Sequence, residues 1–234
     1  MLLTGRRCFF PMLWLITKEN ILPGSQDTTS KSMNGQITGL VLAGGRALRM
    51  GGSDKGLVEL AGKPMVAWVI DCLREQVDEL IINANRNQDV YGAMGYPVVA
   101  DRSGDFQGPL AGMASGMQAA RGDWLLTAPC DSPLVSPLLA QRMWQACEQG
   151  AEIAVAHDGQ RLQPVFAMIR CNLLESLQAY LDAGDRKIDR WYRQHAMQEV
   201  DFSDCQDTFL NINEPADREQ LEARLAAAQG GVKE

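Results

Sequence analysis

The stretch Ile37-Thr38-Gly39-Leu40-Val41-Leu42-Ala43-Gly44-Gly45-Arg46-Ala47-Leu48-Arg49-Met50-Gly51-Gly52-Ser53-Asp54-Lys55-Gly56-Leu57 decides how the rest of the chain is read. Its first six residues, Ile37–Leu42, form a short apolar run of the kind that makes a strand covered on both faces. Five glycines (Gly44, Gly45, Gly51, Gly52, Gly56) and three cations (Arg46, Arg49, Lys55) follow at once. Glycines behind a strand let backbone N–H groups approach an anion with no side chain in between. In an acidic chain, cations gathered there point to a localised polyanion such as a polyphosphate. Spacing excludes two phosphate loops. G-x-x-x-x-G-K-[ST] is absent, since Lys55 follows Asp54 and Lys63 precedes Pro64, and G-x-G-x-x-G is absent too. A plain glycine turn with solvated arginines is the alternative that composition leaves open.

Outward from this loop, short apolar runs alternate with longer amphipathic ones. Strands are predicted at Leu80–Ala84, Pro97–Ala100, Trp124–Ala128 and Glu152–Ala156, after a brief extended piece at Val58–Leu60. Between them, Val66, Val69, Ile70, Leu73 and Val77 recur at helical spacing behind Pro64. Further helices are predicted at Gln88–Met94, Leu110–Ala120 and Pro137–Glu148. Pro164–Ile169 follows the loop Asp158–Gln163 too closely for a helical crossover, so it reads as an antiparallel partner. Helices Asn172–Leu181 and Arg186–Arg193, strand Thr208–Ile212 and a helix from Pro215 to about Ala228 complete the pattern. Repeated β-α-β units predict an α/β fold: a doubly wound, mostly parallel sheet with helices on both faces and one antiparallel strand. In such sheets ligands sit beyond the carboxyl ends of the strands.

The chain has 234 residues, 46% hydrophobic and 22% charged, enough for one substantial core. Its 22 Lys and Arg against 29 Asp and Glu give a net charge of −7, which argues against a general nucleic-acid-binding surface. That charge is uneven. Residues 1–33 hold four basic residues (Arg6, Arg7, Lys18, Lys31) against two acidic ones (Glu19, Asp27), so the other 201 carry 18 basic against 27 acidic, or −9. The apolar run Cys8–Ile16 is far short of the ~20 residues that span a bilayer. Arg6-Arg7 before Phe9-Phe10 faintly resembles an export signal, but no small-x-small cleavage site follows. The expectation is that residues 1–33 are a disordered leader or a mis-assigned start, with Met33 the alternative start, and that 34–234 form a single domain. Six scattered cysteines without a C-x-x-C pair, and only His157 and His195, do not make a zinc site. They read as free thiols of a cytoplasmic protein without a membrane span.

Residues at the strand ends carry the chemistry. Asn83 stands near the end of its strand, where an amide can read a purine edge through paired donor and acceptor, although asparagine also simply ends strands. Asp101 follows Pro97–Ala100, and Gly112 permits close approach of the helix opened by Gly108-Pro109. Asp131, in Pro129-Cys130-Asp131-Ser132-Pro133, follows a central strand and is placed to hold Mg²⁺, an oxygen-seeking cation; a turn-forming aspartate is the alternative. Cys130 has no paired histidine nearby and reads as packing. Alternation puts Asn211 and Asn213 on one face of the last strand, and Asn213 also fits the N-cap position before Pro215.

The form LAGGRALRMGGSDKGL (42–57) resembles the signature loop of the molybdenum cofactor guanylyltransferases, which are nucleotidyltransferases with a glycosyltransferase-A-like, Rossmann-like fold. The resemblance runs from about Gln36 to the C-terminal helix. It implies transfer of GMP from MgGTP to the terminal phosphate of molybdenum–molybdopterin, with release of pyrophosphate. Arg49, Lys55 and Asp131 are then the expected catalytic residues, with Asp131 the Mg²⁺ ligand. Leu42, Ala43, Gly44, Gly45, Lys55, Asn83, Asp101 and Asp131 are expected to bind GTP. Arg186, Lys187, Asn211 and Asn213 are expected on the molybdopterin side, which Arg161–Ala167 also approaches. Implied partners are the two substrates and molybdenum-cofactor or molybdoenzyme-maturation proteins, around a monomer. A cytidylyl- or sugar-1-phosphate nucleotidyltransferase is the nearest rival. A non-catalytic nucleotide-binding regulator is the rival of another class, and keeping Arg49, Lys55 and Asp131 together speaks against it.

Overall fold

The computed structural model describes residues 35–43, 54–102 and 108–230. Residues 1–33, and with them the expected leader, lie outside these, as do Gly44, Gly45, Arg46 and Arg49 of the glycine-rich loop. Along the chain, β1 (Ile37–Leu42) precedes a 3₁₀ turn (Lys55–Leu57), β2 (Glu59–Leu60), β3 (Lys63–Pro64) and α1 (Met65–Leu73). Next come β4 (Glu79–Asn83), α2 (Gln88–Gly92), β5 (Val98–Val99), α3 (Pro109–Ala119), β6 (Trp124–Pro129) and α4 (Leu139–Glu148). The remaining elements are β7 (Ile153–His157), β8 (Leu162–Arg170), a 3₁₀ turn (Cys171–Leu173), α5 (Leu174–Asp182), α6 (Ile188–Tyr192), β9 (Met197–Asp201), a 3₁₀ segment (Ser203–Phe209) and α7 (Pro215–Gly230).

Seven strands form one sheet in the order β5-β4-β1-β6-β8-β7-β9. All are parallel except β8, which runs antiparallel to both β6 and β7. The central strands β1 and β6 are apolar and buried nearly from end to end, because helices cover both faces. On one face α1, α2 and α4 bury Val66, Val69, Tyr91, Leu139 and Met143. On the other, α3, α5 and α6 bury Leu110, Met113, Leu177, Trp191 and Tyr192. Strand order reverses between β1 and β6, and in doubly wound sheets the crevice at that switch point is where ligands bind.

A satellite cluster lies beside the main core. Leu221 and Leu225 of α7 pack with Leu60, Met65, Leu134 and Ile212, so the last helix clasps the β2–β3 hairpin that follows Lys55. Ala61 and Gly62 in the tip of that hairpin both have positive φ, 51° and 77°, as a two-residue I′ turn requires.

Two expectations need correction. Residues 208–212 are not a strand: Thr208 and Phe209 end the 3₁₀ segment, and Ile212 is tied by its N–H to Asp131 O at 3.0 Å. The alternation in Leu210-Asn211-Ile212-Asn213 is not a pleat: Leu210 is exposed, and the two buried anchors, Phe209 and Ile212, are three residues apart. Instead the edge strand is β9, pairing parallel with β7 from Ile153↔Met197 to His157↔Asp201. The sequence Met197-Gln198-Glu199-Val200-Asp201 is polar and carries no strand signature, since an edge strand buries little.

Candidate active site

The carboxyl ends of β1, β4 and β6 open into a cavity of about 470 Å³. Leu42, Ala43, Asn83 and Asp101 line one side, Asp54, Lys55, Cys130 and Asp131 the middle, and Gln163–Phe166 the far side with Asn211. Backbone bonds hold these strand ends in register: Ala43 N–H donates to Asn83 O at 2.8 Å and Cys130 N–H to Leu42 O at 3.0 Å.

In the middle, Lys55 Nζ donates to Asn213 Oδ1 at 2.6 Å and lies 3.5 Å from Asp131 Oδ2. Both charged side chains are mostly covered, with 24% and 18% of their surfaces exposed. Lys55 is fixed from behind by its neighbours. Asp54 caps the 3₁₀ turn by accepting from Gly56 N–H, accepts from the Tyr91 hydroxyl at 2.6 Å, and accepts from Asn87 Nδ2 at 3.0 Å. A Cβ at Gly56 would fall 2.6 Å from Tyr91 Oη and 3.2 Å from Cys130 Sγ, so only glycine lets the lysine turn lie this close to the core. Burial, aided by neighbouring Cys130 and Asp54, pushes the Tyr91 phenol well above its ordinary range. Burial beside Asp131 does the same to the Cys130 thiol. Cys130 therefore stays a protonated packing group, as the sequence reading expected.

Asn213 is not the side-chain cap of α7. Its N–H and that of Glu214 donate to Asp217 Oδ2 at 3.0 and 2.9 Å, and these two bonds hold the Asp217 carboxyl below its usual range. This arrangement frees the Asn213 amide for Lys55. Asn211 is held by Ser132, whose hydroxyl donates to Asn211 Oδ1 at 2.5 Å.

On the other side, Asp101 is nearly buried and gripped at three points. Asn83 Nδ2 donates to its Oδ1 at 2.9 Å, Asn85 Nδ2 donates to its Oδ2 at 2.7 Å, and its own N–H donates to Asn85 Oδ1 at 2.8 Å. Helix α3 rides close above: a Cβ at Gly112 would lie 2.4 Å from Asn83 Oδ1, the close approach expected of that residue.

The structure thus brings together Leu42, Ala43, Lys55, Asn83, Asp101, Asp131, Asn211 and Asn213. It places Arg186 and Lys187 elsewhere. Arg186 donates to Leu181 O and Asp185 O at the end of α5, and the Lys187 carbonyl accepts from Tyr180 Oη at 3.0 Å; neither side chain lines the cavity. Asn85, Tyr91, Asn87, Ser132 and Asp217 were missed. Asn85 alone had a signal, because strand alternation puts it on the same face as Asn83.

No cluster of three or more His, Cys, Asp or Glu side chains that could hold a metal occurs among the described residues. A site with few protein ligands still fits Mg²⁺, which keeps waters and substrate phosphates. The Asp131 carboxylate and the Asn213 carbonyl converge on one ammonium, and both are the hard oxygen donors that this cation takes. No helix among the described residues is long and apolar enough to cross a membrane.

Residues 39–200 match the family pattern of the MobA-like NTP transferase domain. A molybdenum cofactor guanylyltransferase of Shewanella loihica is 48% identical over 195 residues, covering 83% of this chain and all of that protein. The corresponding protein of Shewanella piezotolerans is 46% identical over 198 residues, covering 84% and 97%. Among solved structures, the molybdopterin-guanine dinucleotide biosynthesis protein A of Archaeoglobus fulgidus has the same fold, with a TM-score of 0.69 at 19% identity over 81% of this chain and 99% of that one. A nucleotidyl transferase of Methanothermobacter thermautotroptrophicus gives 0.66 at 24% identity over 82% and 99%.

Proposed function

Since the chain belongs to the MobA-like NTP transferase family, we propose that it transfers GMP from GTP to the terminal phosphate of molybdenum–molybdopterin. An oxygen of the acceptor phosphate attacks the α-phosphorus of GTP. The bond from that phosphorus to the bridging oxygen breaks, and pyrophosphate leaves with the electron pair. The acceptor phosphate is already ionised at neutral pH, so no strong general base is needed. What remains is alignment of two polyanions and neutralisation of their charge.

The observation that supports this reading best is the Lys55–Asp131–Asn213 cluster in the middle of a two-sided cavity. Lys55 acts as a point charge on the phosphates, steered by Asn213, and Arg49 offsets charge developing on the α-phosphate or pyrophosphate. Asp131, with Asn213 the next oxygen, would hold Mg²⁺, which neutralises phosphate oxygens when bound. Asn83 and Asp101 meet the guanine, while Leu42, Ala43, Gly44 and Gly45 carry the nucleotide across the end of β1. A carboxylate that accepts two hydrogen bonds side by side suits guanine, whose N1–H and 2-amino group are adjacent donors. Asn211, anchored by Ser132, faces the acceptor; Arg186 and Lys187 stand outside the cavity lining. In this reading the chain works in the cytoplasm as a monomer that hands its product to maturation proteins.

Pyrophosphate release tests the reading with GTP, CTP and ATP, each with and without molybdenum–molybdopterin and Mg²⁺. Release should require GTP, the acceptor and the cation together. Turnover with CTP alone among the nucleotides would make the chain a cytidylyltransferase, and tight GTP binding without turnover would make it a regulator.

A further inference from the structure

The sheet comes apart where β8 passes the end of β6. β6 pairs with β8 from Trp124↔Arg170 to Thr127↔Ala167 and no further. β7 pairs Val155 with Ala167, yet its next residue, Ala156, pairs with Gln163. Pro164, Val165 and Phe166 are therefore left opposite no residue of either neighbour, as a bulge of three. Together with Gln163 they are the cavity wall that faces Asp131.

A bulge deprives its carbonyls of ladder donors, and inside a protein those carbonyls need donors from elsewhere. Two fully buried hydroxyls provide them. Thr127 Oγ1 donates to Val165 O at 2.6 Å, and Tyr192 Oη donates to Pro164 O at 2.8 Å. Tyr192 has one hydroxyl proton, and its other neighbour, Met113 Sδ at 3.6 Å, is the weaker acceptor. The two donors come from different elements, so the bulge is tied both to the neighbouring strand β6 and to the covering helix α6. At its foot, Gln163 Nε2 donates to Asp158 Oδ2 at 2.7 Å.

We propose that Thr127 and Tyr192 are positioning residues for the second substrate. By fixing the carbonyls of Val165 and Pro164 they set the width of the cavity between the bulge and Asp131. The assignment rests on the guanylyl-transfer reading. GTP takes the side of β1, β4 and β5, where Asn83 and Asp101 stand. In phosphoryl transfer the attacking and leaving oxygens lie roughly in line across phosphorus, so the acceptor comes from the opposite side, along the bulge.

Thr127→Val and Tyr192→Phe each delete one hydroxyl with little change of volume. Thr38→Val is the matched control: it deletes an equally buried hydroxyl at the other end of the sheet, bonded to Glu79 Oε2. Initial rates of the full chain are measured with GTP and molybdenum–molybdopterin varied separately, beside thermal unfolding. In Thr127→Val and Tyr192→Phe the acceptor KM should rise roughly three- to tenfold while the GTP KM and kcat stay within about twofold. Thr38→Val should lower the unfolding temperature and leave both KM values unchanged. An unchanged acceptor KM in either variant, or an equal rise of both KM values, would overturn the proposal. If Thr127→Val does not fold, Tyr192→Phe decides alone. A parent chain that binds GTP but transfers nothing would instead overturn the guanylyl-transfer reading, and the proposal with it.

Discussion

Lys55 and Asn213 lie 158 residues apart, yet the lysine ammonium donates to the asparagine carbonyl at 2.6 Å. The first glycine-rich turn and the entry to the last helix thus meet over Asp131. Truncating Asn213 spares the α7 start, because Asp217 holds the backbone N–H groups there rather than the Asn213 side chain. Asn213→Ala should therefore unfold near the parent temperature but lose about 10- to 100-fold in kcat, the equivalent of one hydrogen bond to a charged group. Lys55→Ala should lose on the order of 10²–10³. Steady-state rates beside thermal unfolding check both, and a normal kcat in Asn213→Ala would remove this residue from the site.

Asp101 offers two carboxylate oxygens that Asn83 and Asn85 already orient. Asp101→Asn replaces one acceptor with a donor and should cut kcat/KM for GTP by roughly 100-fold while narrowing discrimination against ATP. Asn85→Ala, which only loosens the carboxylate, should cost less, about three- to tenfold. Competition kinetics with GTP and ATP distinguish the two; equal losses for both nucleotides would mean that Asp101 does not read the base.

Gly112 lets α3 lie on Asn83 and Leu42. A Cβ there would fall 2.4 Å from Asn83 Oδ1 and 2.6 Å from Leu42 Cδ2, so Gly112→Ala has to displace a residue assigned to the nucleotide. Overpacking of this kind costs about 1–3 kcal/mol. The expected result is a lower unfolding temperature together with a weaker Kd for GTP by calorimetry. Loss of stability with unchanged GTP affinity would show that Asn83 does not touch the nucleotide.

Burial pushes the Cys72 thiol up to about 11 and those of Cys147 and Cys171 up to about 12. At pH 8 they should resist iodoacetamide in the native protein and react once it is unfolded, as peptide mass mapping would show. The unfolded thiols ionise from about pH 8.5, so above that pH the native state binds more protons than the unfolded one. Stability is therefore full below about pH 8.5 and should fall from there toward pH 11–12. A denaturant midpoint that rises over this interval would contradict the assignment.

The parts of the fold most legible in the sequence are those where burial leaves a strong pattern. β1 and β6 read as apolar runs because both of their faces are covered, and Pro164–Ile169 betrayed its direction through the short loop before it. β9 was invisible since half of an edge strand faces water. The Thr208–Ile212 segment misled because Leu210-Asn211-Ile212-Asn213 alternates as a strand would, whereas Leu210 is exposed and the buried residues are Phe209 and Ile212, three apart. In the site, Asn83, Asp101 and Asp131 were readable as polar residues at strand ends, and Lys55 as a cation of the glycine-rich loop. Asn213 was read as belonging to the acceptor side, and its bond to Lys55 depends on where α7 docks. Packing of Leu221 and Leu225 under the β2–β3 hairpin, with the Ala61 N–H donating to Glu222 Oε1 and Arg224 pairing with Asp207, sets that, and no local pattern encodes it.

The most direct test of the central claim follows the label from GTP carrying ³²P at the α-phosphate, incubated with the full chain, Mg²⁺ and molybdenum–molybdopterin. Guanylyl transfer predicts that the label appears in a pterin–guanine dinucleotide, with one pyrophosphate released for each molecule formed. Label that stays in GTP, or that is released as GMP whether or not the acceptor is present, would contradict it.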